Sequence, residues 1–376
     1  MEQRVDTNKA GEVVDLFCGV GAISHGFYRA GFDILAGYDI DAQCKFAFER
    51  NNKSVFHAQD VAALSGEDVR KHFTGDVPSV LVGCAPCQPF SSYKQRYAED
   101  PQWELVPRFG EIAAECAPDY VSMENVPRLL EHRDGAIFEK FKSLLEAEGY
   151  GVWYSIVNSA DYGVPQSRRR LVLVAAKNGG LAPPETWTSS AVTVREAIGH
   201  LPKIKAGEVC TTDPLHRSSA LSDKNLRRIQ ASKPGGSWKD WPKELIAECH
   251  KRSTGRTYPS VYGRMSWDAP SPTITTQSYG FGNGRFGHPE QDRAISLREA
   301  AILQSFPEGY EFLPANRQVS MKELGRWIGN AVPVKLAESI AKGIKSHKEF
   351  SNDGRSEPVC DEHRLERDQA SRDRAV

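Results

Sequence analysis

The sequence predicts an α/β protein in which a Rossmann-like open sheet is followed by a second, smaller domain. Between residues 12 and 176, short apolar runs typical of buried strands alternate with amphipathic helical segments, the pattern of a largely parallel sheet. From Lys177 to about Gly287 this alternation gives way to Pro-, Gly-, Ser- and Thr-rich sequence. A chain of 376 residues also exceeds the size of a usual single core, so two domains are expected.

Composition places the chain among ordinary globular proteins. No apolar run reaches the roughly 18 residues of a membrane span, and the N-terminus Met-Glu-Gln-Arg-Val-Asp lacks the apolar core of a signal peptide. The 8 cysteines show no repeated spacing, which fits a reducing compartment better than a disulfide framework. We therefore expect a cytoplasmic protein with no membrane partner.

The first predicted strand leads into a glycine-rich turn. Residues 12–17 form the strand, and Gly19 and Gly21 then open an amphipathic helix. Glycines let the backbone approach a ligand closely, and the helix N-terminus presents unpaired N–H groups. The second strand ends at Asp39, about 20 positions further on, where an acid can accept hydrogen bonds from ribose hydroxyls. Asp60, after the next strand, could accept from an adenine amino group or cap the following turn.

A further strand delivers a cysteine onto a loop that reads Gly-Cys-Ala-Pro-Cys-Gln-Pro-Phe-Ser-Ser over residues 83–92. Open parallel sheets bind ligands at the carboxyl ends of their strands, so Cys87 is the candidate nucleophile. Cys84 and Cys87 could also form half of a zinc site or a redox pair. Zinc, however, needs four ligands, and no second Cys-x-x-Cys occurs in the sequence. Cys84 is expected to be a packing or turn residue.

Charged groups follow two later strands. Residues 118–123 predict a strand whose end carries Glu124, which would face the same crevice; standing alone, it would read as a surface ion pair or cap. Another strand begins near Arg168-Arg169-Arg170. Alternation along a strand sends Arg168 and Arg170 to one side, where paired guanidinium groups could clamp a carbonyl or phosphate oxygen. A solvated face is the alternative for all three arginines.

The second domain carries a basic segment. Between Arg217 and Arg264, eleven Lys/Arg stand against four Asp/Glu, a local balance of 11 − 4 = +7. Aromatic residues that could stack on bases are interleaved with these charges, namely Trp238, Trp241, Tyr258 and Tyr262. Phosphate contacts combined with base stacking would require such a mixture. A solvated surface is the alternative.

The remaining segments are assigned from their patterns. Residues 93–103 are polar and charged beside a reactive residue, which suits a mobile lid. Residues 271–276 predict a strand, and helical periodicity returns at 297–306 and from Met321 to about Ile344. The tail, 347–376, has almost no apolar residues and is expected to be disordered.

In order and spacing, these motifs resemble the DNA (cytosine-5)-methyltransferase family, of bacterial type, across most of the chain. The matching stretches are Asp15-Leu16-Phe17-Cys18-Gly19-Val20-Gly21, Asp39-Ile40-Asp41, Asp60-Val61, Ala85-Pro86-Cys87-Gln88-Pro89-Phe90-Ser91, Glu124-Asn125-Val126, Gln166-Ser167-Arg168-Arg169-Arg170, Arg298-Glu299-Ala300-Ala301-Ile302-Leu303-Gln304-Ser305-Phe306-Pro307 and Gly329-Asn330-Ala331-Val332. The lid departs from the family pattern, reading Asp100-Pro101-Gln102-Trp103.

The resemblance implies a Rossmann-like methyltransferase fold with S-adenosylmethionine as methyl donor and no metal. It implies a catalytic and cofactor-binding domain over 1–177, a target-recognition domain over 178–315 and C-terminal helices over 316–346 that return to the first domain. In such a fold the Cys87 thiolate attacks C6 of a flipped-out cytosine, Glu124 protonates or hydrogen-bonds N3, and Arg170, helped by Arg168, holds O2. C5 is then methylated and Cys87 is expelled.

The resemblance also implies roles for other residues. Those around the cofactor are Phe17, Gly19, Gly21, Asp39, Ile40, Asp60, Val61, Pro86, Asn330 and Val332. Those near the substrate are Gln88, Ser91, Asn125 and Gln166. The expected partner is duplex DNA, bound by a monomer that is paired in function with a restriction endonuclease. A tRNA cytosine-5 methyltransferase of the same fold and a catalytically silent DNA-binding protein are the alternatives.

Overall fold

A computed structural model describes residues 9–86, 101–177, 179, 184, 186, 190–252, 255 and 260–352. Seven strands in these ranges form one sheet in the order β3-β2-β1-β4-β5-β7-β6. The strands are β1 (Glu12–Leu16), β2 (Asp33–Asp39), β3 (Val55–Ala58), β4 (Ser79–Gly83), β5 (Tyr120–Asn125), β6 (Gly151–Asn158) and β7 (Arg169–Ala176). Strands β1 to β5 pair in parallel, whereas β7 lies antiparallel between β5 and β6.

The central strands are apolar because both faces of the sheet are covered. In β4, Val80 and Val82 belong to the hydrophobic cluster on one face, and Leu81 belongs to the cluster on the other. Parallel sheets covered on both sides show continuous apolar runs of this kind. The predicted α/β, Rossmann-like class is confirmed, and β1, β2, β4, β5 and β7 form where the sequence pattern predicts strands.

Helices connect the strands and extend through the second half of the chain. They are α1 (Ala22–Arg29), α2 (Lys45–Asn52), α3 (Gly66–Arg70), α4 (Leu105–Cys116), α5 (Ala136–Ala147), α6 (Val194–Ile198), α7 (Asp223–Gln230), α8 (Glu248–Lys251), α9 (Leu297–Leu303), α10 (Met321–Asn330) and α11 (Val334–Asn352). Within the described ranges, none of them combines the length and the apolar character that crossing a membrane requires.

The second half of the chain contributes to two cores. A small cluster of its own contains Ile229, Trp238, Trp241, Leu245, Phe281 and Ala294. Residues from α6, α9, α10 and α11 instead join the cluster on one face of the sheet, together with Phe27 and Phe32. The C-terminal helices therefore pack directly against the part of the fold that β1 and β2 build.

Two local predictions differ from the structure. Residues 271–276 form no strand; Ser271 makes a single bridge to Gln166, and the following Pro272 has no N–H to continue a ladder. Helix α11 continues to Asn352 instead of ending near residue 344. Buried His347 explains part of this extension, because its Nδ1 lies 3.0 Å from the Tyr120 hydroxyl. Of the segment predicted to be disordered, 347–376, residues 347–352 belong to α11, so that part of the prediction is wrong, and residues 353–376 lie outside the described ranges.

Candidate active site

Strands β4 and β5 bring a cysteine and a glutamate together where both strands end. Their parallel register pairs Gly83 with Met123, so the next residues along the two strands, Cys84 and Glu124, are neighbours. The Cys84 thiol donates a hydrogen bond to Glu124 Oε2, with 3.1 Å between sulfur and oxygen. Glu124 is only 4% exposed. A buried carboxylate needs compensating partners, and Cys84 supplies one of them.

Arg170 supplies the compensating charge. It lies near the start of β7, which pairs antiparallel with β5, and its Nε is 2.9 Å from Glu124 Oε1. The two side chains are 12% and 5% exposed. The approach is too poorly aligned for a hydrogen bond, and among the described residues Glu124 Oε1 has no hydrogen-bond partner. The ion pair therefore holds Oε1 while its lone pairs remain available to another donor.

Arg168 does not join Arg170 in a clamp on the crevice side. Its guanidinium is buried and donates to the backbone carbonyls of Ile274 at 2.9 Å, Gly329 at 3.3 Å and Ala331 at 3.4 Å. The residue precedes the first residue of β7, so strand alternation does not govern its direction. It ties the second half of the chain to the sheet.

Gln166 is likewise a structural link and does not face the crevice as the substrate residue we expected. It is fully buried, and its Nε2 donates to the Leu303 carbonyl at 3.0 Å and to Gln304 Oε1 at 2.7 Å. Its Oε1 accepts from the Ile274 N–H at 2.8 Å. Both amide hydrogens are therefore already committed inside the protein.

Asn125 supports the loop that follows β4. It is fully buried, and its Nδ2 donates to the Ala85 carbonyl at 3.2 Å, while its Oδ1 accepts from the Val126 N–H at 2.8 Å. Pro86 is the last described residue of that loop. Because its amide is used in this way, Asn125 positions the chain just before Cys87.

Four residues that we singled out from the sequence lie outside the described residues. They are Cys87, Gln88, Ser91 and Tyr258. The predicted lid is described only at its C-terminal end, where Pro101–Glu104 form a short 3-10 turn that leads into α4.

A cavity of about 920 Å³ lies at the carboxyl ends of β1, β2 and β4. Nine of the ten residues expected around the cofactor line it, and these are Phe17, Gly19, Asp39, Ile40, Asp60, Val61, Pro86, Asn330 and Val332. Its volume lies within the range of about 300–1,000 Å³ that is typical of ligand pockets. Cys84 also lines the cavity, so the cavity extends to the side chain that contacts Glu124.

Asp39 is held against the glycine turn. Its Oδ2 accepts from the Gly19 N–H and its Oδ1 from the Asp41 N–H, each at 2.8 Å. Burial raises the pKa of Asp39, although these two hydrogen bonds act in the opposite direction. Each carboxylate oxygen has two lone pairs, so one position on each stays open for ligand hydroxyl groups.

Two further cavity residues are an apolar side chain, Ile40, and an acid that caps a turn, Asp60. Ile40 is 75% exposed, which is unusual for a large aliphatic residue and provides a flat apolar surface for a ring. Val61 is buried behind the same wall. Asp60 caps the turn that follows it, because its Oδ1 accepts from the Ala62 N–H at 2.9 Å. The capping alternative for Asp60 is thus realised, and the residue still lines the cavity.

Gly21 does not line the cavity. It begins α1 with φ at 87°, in the left-handed region that favours glycine. A Cβ at this position would lie 2.2 Å from Asn52 Nδ2 and 2.9 Å from Phe48. The glycine is required for the turn and for close packing of α2, whereas Gly19 faces the ligand space.

A contact between Asp41 and helix α10, which the sequence pattern did not predict, forms part of the cavity wall. Asp41 Oδ2 accepts from Arg326 Nη2 at 2.7 Å and from Trp327 Nε1 at 3.1 Å. Burial by itself would raise the pKa of Asp41, but the hydrogen bonds from Arg326 and Trp327 outweigh burial and lower it. All three residues line the cavity. Asp41 and Arg326 are 285 positions apart in the sequence. The local signals for their contact are an acid just after β2 and a basic–aromatic pair shortly before Asn330.

Cys84 packs against the core cluster on one face of the sheet, as expected, and its thiol is in addition the hydrogen-bond donor to Glu124. Cys84 lies one residue beyond the end of β4, and Glu124 lies one residue beyond the end of the strand predicted over 118–123. This shared offset from a strand end is the signal that links the two residues. Pairing these two strand ends requires the strand order and the register, neither of which the local pattern contains.

The basic segment of the second half is less aromatic at its surface than the sequence suggested. Trp238 and Trp241 are buried in the small core, and Tyr262 packs against it. Arg228 is buried over the Trp241 and Tyr262 rings, and Arg264 is buried with its guanidinium donating to backbone carbonyls. Large aromatic side chains bury apolar area that a small domain needs. Among the residues of this segment that the structure describes, the exposed cations are Lys224, Arg227, Lys233, Lys239, Lys243, Lys251 and Arg252.

The described ranges contain no group of three or more His, Cys, Asp or Glu side chains arranged to hold a metal ion. The groups that the described site offers for chemistry are the buried Glu124, its partners Cys84 and Arg170, and the adjoining cavity.

Comparison with known proteins identifies the family. The model of the C-5 cytosine-specific DNA methylase family matches residues 11–346. The Type II methylase M.HgiDII of Herpetosiphon aurantiacus is 50% identical over 337 residues, which cover 89% of this chain and 95% of the relative. The Type II methyltransferase M1.HphI of Haemophilus parahaemolyticus is 33% identical over 340 residues, covering 88% and 86%.

Solved structures share the fold. A prophage-encoded DNA modification methyltransferase from E. coli superposes with a TM-score of 0.70 at 24% identity, over 90% of this chain and 99% of that chain. The S. pombe Dnmt2 methyltransferase superposes with a TM-score of 0.57 at 18% identity, over 90% and 99%. The cavity, the buried glutamate at the strand end and the match over 11–346 agree, and the chain belongs to the C-5 cytosine-specific DNA methylase family.

Proposed function

We propose that this chain is a sequence-specific DNA methyltransferase that methylates C5 of a cytosine in duplex DNA through a covalent bond to Cys87. The observation that carries the proposal is Glu124, which is buried at the end of β5 between Arg170 and Cys84 and adjoins a cavity of about 920 Å³. A buried acid with an arginine partner at the carboxyl end of a strand is placed to act on a ring nitrogen.

Each residue has a defined task in this reaction. Cytosine C5 is a poor nucleophile, so the Cys87 thiolate adds to C6, a sulfur–carbon bond forms, and the electron pair moves toward N3. Glu124 takes up the developing charge by donating a proton or a hydrogen bond to N3. Arg170 keeps the carboxyl group in place; its Nη1 donates to the Arg169 carbonyl at 2.8 Å, and its other N–H groups would face the O2 side. Once C5 carries the methyl group, its proton is lost to solvent, the electron pair re-forms the C5–C6 double bond, and the sulfur–carbon bond breaks to release the Cys87 thiolate.

The cavity fits S-adenosylmethionine, which when bound supplies the methyl group. Asp39 would accept hydrogen bonds from the ribose hydroxyls, Ile40 and Val61 would cover the faces of the adenine ring, and Asp60 would accept from its amino group. Asn330 also lines the cavity, and the methionine part would lie beside it. The fit rests on the open lone pairs of Asp39 and on the exposed Ile40 surface.

Duplex DNA would bind through the target-recognition domain, which we place at 178–315. Seven exposed cations between residues 224 and 252 are available for phosphate contacts. The target base must leave the stack to reach Glu124, at a cost of a few kcal/mol that phosphate contacts can offset. The relatives are named as Type II enzymes that methylate, so we extend the proposal to protection of DNA against a partner restriction endonuclease. We further propose that the chain acts as a monomer.

A methyl-transfer assay tests the proposal. The chain is supplied with S-adenosylmethionine labelled in its methyl group and with duplex DNA beside tRNA, and label is expected in the DNA alone. Cys87→Ala should abolish transfer without loss of cofactor binding, and Glu124→Gln should reduce kcat far more than DNA affinity. Label in tRNA alone would overturn the substrate assignment, and transfer by Cys87→Ala would overturn the covalent step. Mapping 5-methylcytosine across host DNA would reveal the recognised sequence.

A further inference from the structure

We infer that Cys84 is a positioning residue that orients the carboxylate of Glu124 for the methyl-transfer reaction. The inference rests on the proposed function, in which Glu124 acts on N3 of the target cytosine. It is carried by the hydrogen bond of 3.1 Å from the Cys84 thiol to Glu124 Oε2 and by the place of Cys84 in the wall of the cavity.

The two oxygens of Glu124 have different partners. Arg170 Nε holds Oε1 by charge at 2.9 Å, and the thiol of Cys84 holds Oε2. One contact leaves a carboxylate free to rotate about its last torsion, because that torsion has a broad energy profile. Two contacts on opposite oxygens define the plane of the group. Cys84 is therefore the partner that decides which way the remaining lone pairs point.

The chemistry of a thiol suits this task. An S–H group is a weak donor, whereas an arginine or a backbone N–H binds a carboxylate strongly. A weak donor holds the direction of Oε2 yet competes little when a ring nitrogen approaches the same carboxyl group. A second strong donor beside Arg170 would instead hold the charge on Glu124 and oppose proton donation.

The backbone around Cys84 is fixed on both sides. Gly83 is paired in the sheet with Met123, and the carbonyl of Ala85 accepts from Asn125 Nδ2 at 3.2 Å. Neighbouring side chains of β5 thus attach to consecutive residues of the loop, Glu124 to Cys84 and Asn125 to Ala85. The orientation of the acid is coupled to the segment that continues through Pro86 to Cys87.

Steady-state methyl transfer by two variants tests the role. Cys84→Ala removes the donor, and we expect kcat to fall about tenfold, the lower end for a hydrogen bond to a charged group. KM for S-adenosylmethionine and for duplex DNA should stay within about twofold, because alanine keeps the Cβ in the cavity wall and the lost hydrogen bond goes to Glu124 and not to a ligand. Cys84→Ser keeps a donor at nearly the same place and should retain most of kcat. Cys116→Ala, which removes a buried thiol in the core beneath the sheet, is the control and should leave kcat unchanged.

Each outcome decides the matter. Wild-type kcat in Cys84→Ala, or equal impairment of the Ala and Ser variants, would overturn the positioning role while leaving the proposed function intact. A rise in KM without a change in kcat would show that Cys84 shapes the cavity and does not orient Glu124. If the wild-type chain transfers no methyl group to DNA, the proposed function fails and the role of Cys84 fails with it.

Discussion

Replacing Glu299 by Gln removes the acid of a buried ion pair that joins α9 to Arg293, in the segment before the helix. Arg293 donates from Nη1 to Glu299 Oε2 and from Nη2 to Oε1, each at 2.7 Å, and both side chains are 1% exposed. Glu299 Oε2 also accepts from the Ser296 N–H at 2.7 Å, which completes the capping box of α9. A Gln can keep the cap, but it leaves the charge of Arg293 buried and uncompensated.

The expected loss of stability follows from the pKa of this carboxyl group. Burial alone would raise the pKa of Glu299, but the hydrogen bonds and positive charge of Arg293 outweigh burial and lower it from 4.5 to about 2. A depression of 4.5 − 2, about 2.5 units, at about 1.36 kcal/mol per unit corresponds to about 3 kcal/mol. Breaking a buried ion pair by removing one partner costs about 3–5 kcal/mol. We therefore expect Glu299→Gln to lower the free energy of unfolding by about 3 kcal/mol at pH 7.

The pH dependence has a definite sign. Because the pKa of Glu299 is lower in the folded protein than in the unfolded chain, its contribution is complete above about pH 4.5 and is lost as the pH falls toward 2. The difference between wild type and Glu299→Gln should therefore shrink over that interval. His288 lies beside Glu299, and burial lowers the pKa of His288 to about 4. His288 is therefore neutral at pH values above that interval.

Urea unfolding followed by circular dichroism measures the effect. The matched control is Glu290→Gln, which breaks an exposed pair with Lys203 whose side chains are 54% and 75% exposed. Exposed pairs contribute about 0–1 kcal/mol, so this variant should unfold almost like wild type. Equal losses in the two variants would refute the argument that burial makes the Arg293 pair strong.

Three further predictions concern the cofactor end of the sheet. Burial raises the pKa of Asp15 from 3.8 to about 7, so the folded protein binds an extra proton between these two pH values. Wild type should therefore lose about 2–3 kcal/mol of stability from pH 5 to 8. In Asp15→Asn this loss should disappear, and identical pH profiles of the two proteins in urea unfolding would contradict the prediction. Gly21→Ala should lower the melting temperature more than Gly75→Ala, because both glycines have positive φ but only Gly21 has neighbours within 3 Å of the added Cβ; equal shifts would leave backbone strain as the only cause. Trp327→Phe keeps an aromatic side chain but replaces the indole by a smaller phenyl ring without the N–H that reaches Asp41, and calorimetry should show about tenfold weaker S-adenosylmethionine binding; an unchanged Kd would show that this contact does not shape the cavity.

Much of the fold and part of the site could be predicted from local pattern. The strands of the sheet are apolar runs bounded by turn residues, and a strand buried on both faces produces that signal in any context. Asp39 and Glu124 were found because an acid directly after such a run must lie at the crevice. Gln166 and Arg168 were placed at the substrate, yet both bond to the backbone near Ile274. Their partners are more than 100 positions away, and no local signal encodes them.

By itself the sequence determined the succession of strands and helices along the chain, the glycine turn, and the acids at the strand ends. These features depend on the hydrophobic period and on backbone chemistry within a few residues. Tertiary structure alone decided which polar groups meet. It buried Trp238 and Trp241 in a core, paired Asp41 with helix α10, and brought Cys84 to Glu124. The physical reason is register: a hydrogen bond requires two atoms within about 3 Å, and strand pairing across distant segments sets such distances only when the whole sheet has formed.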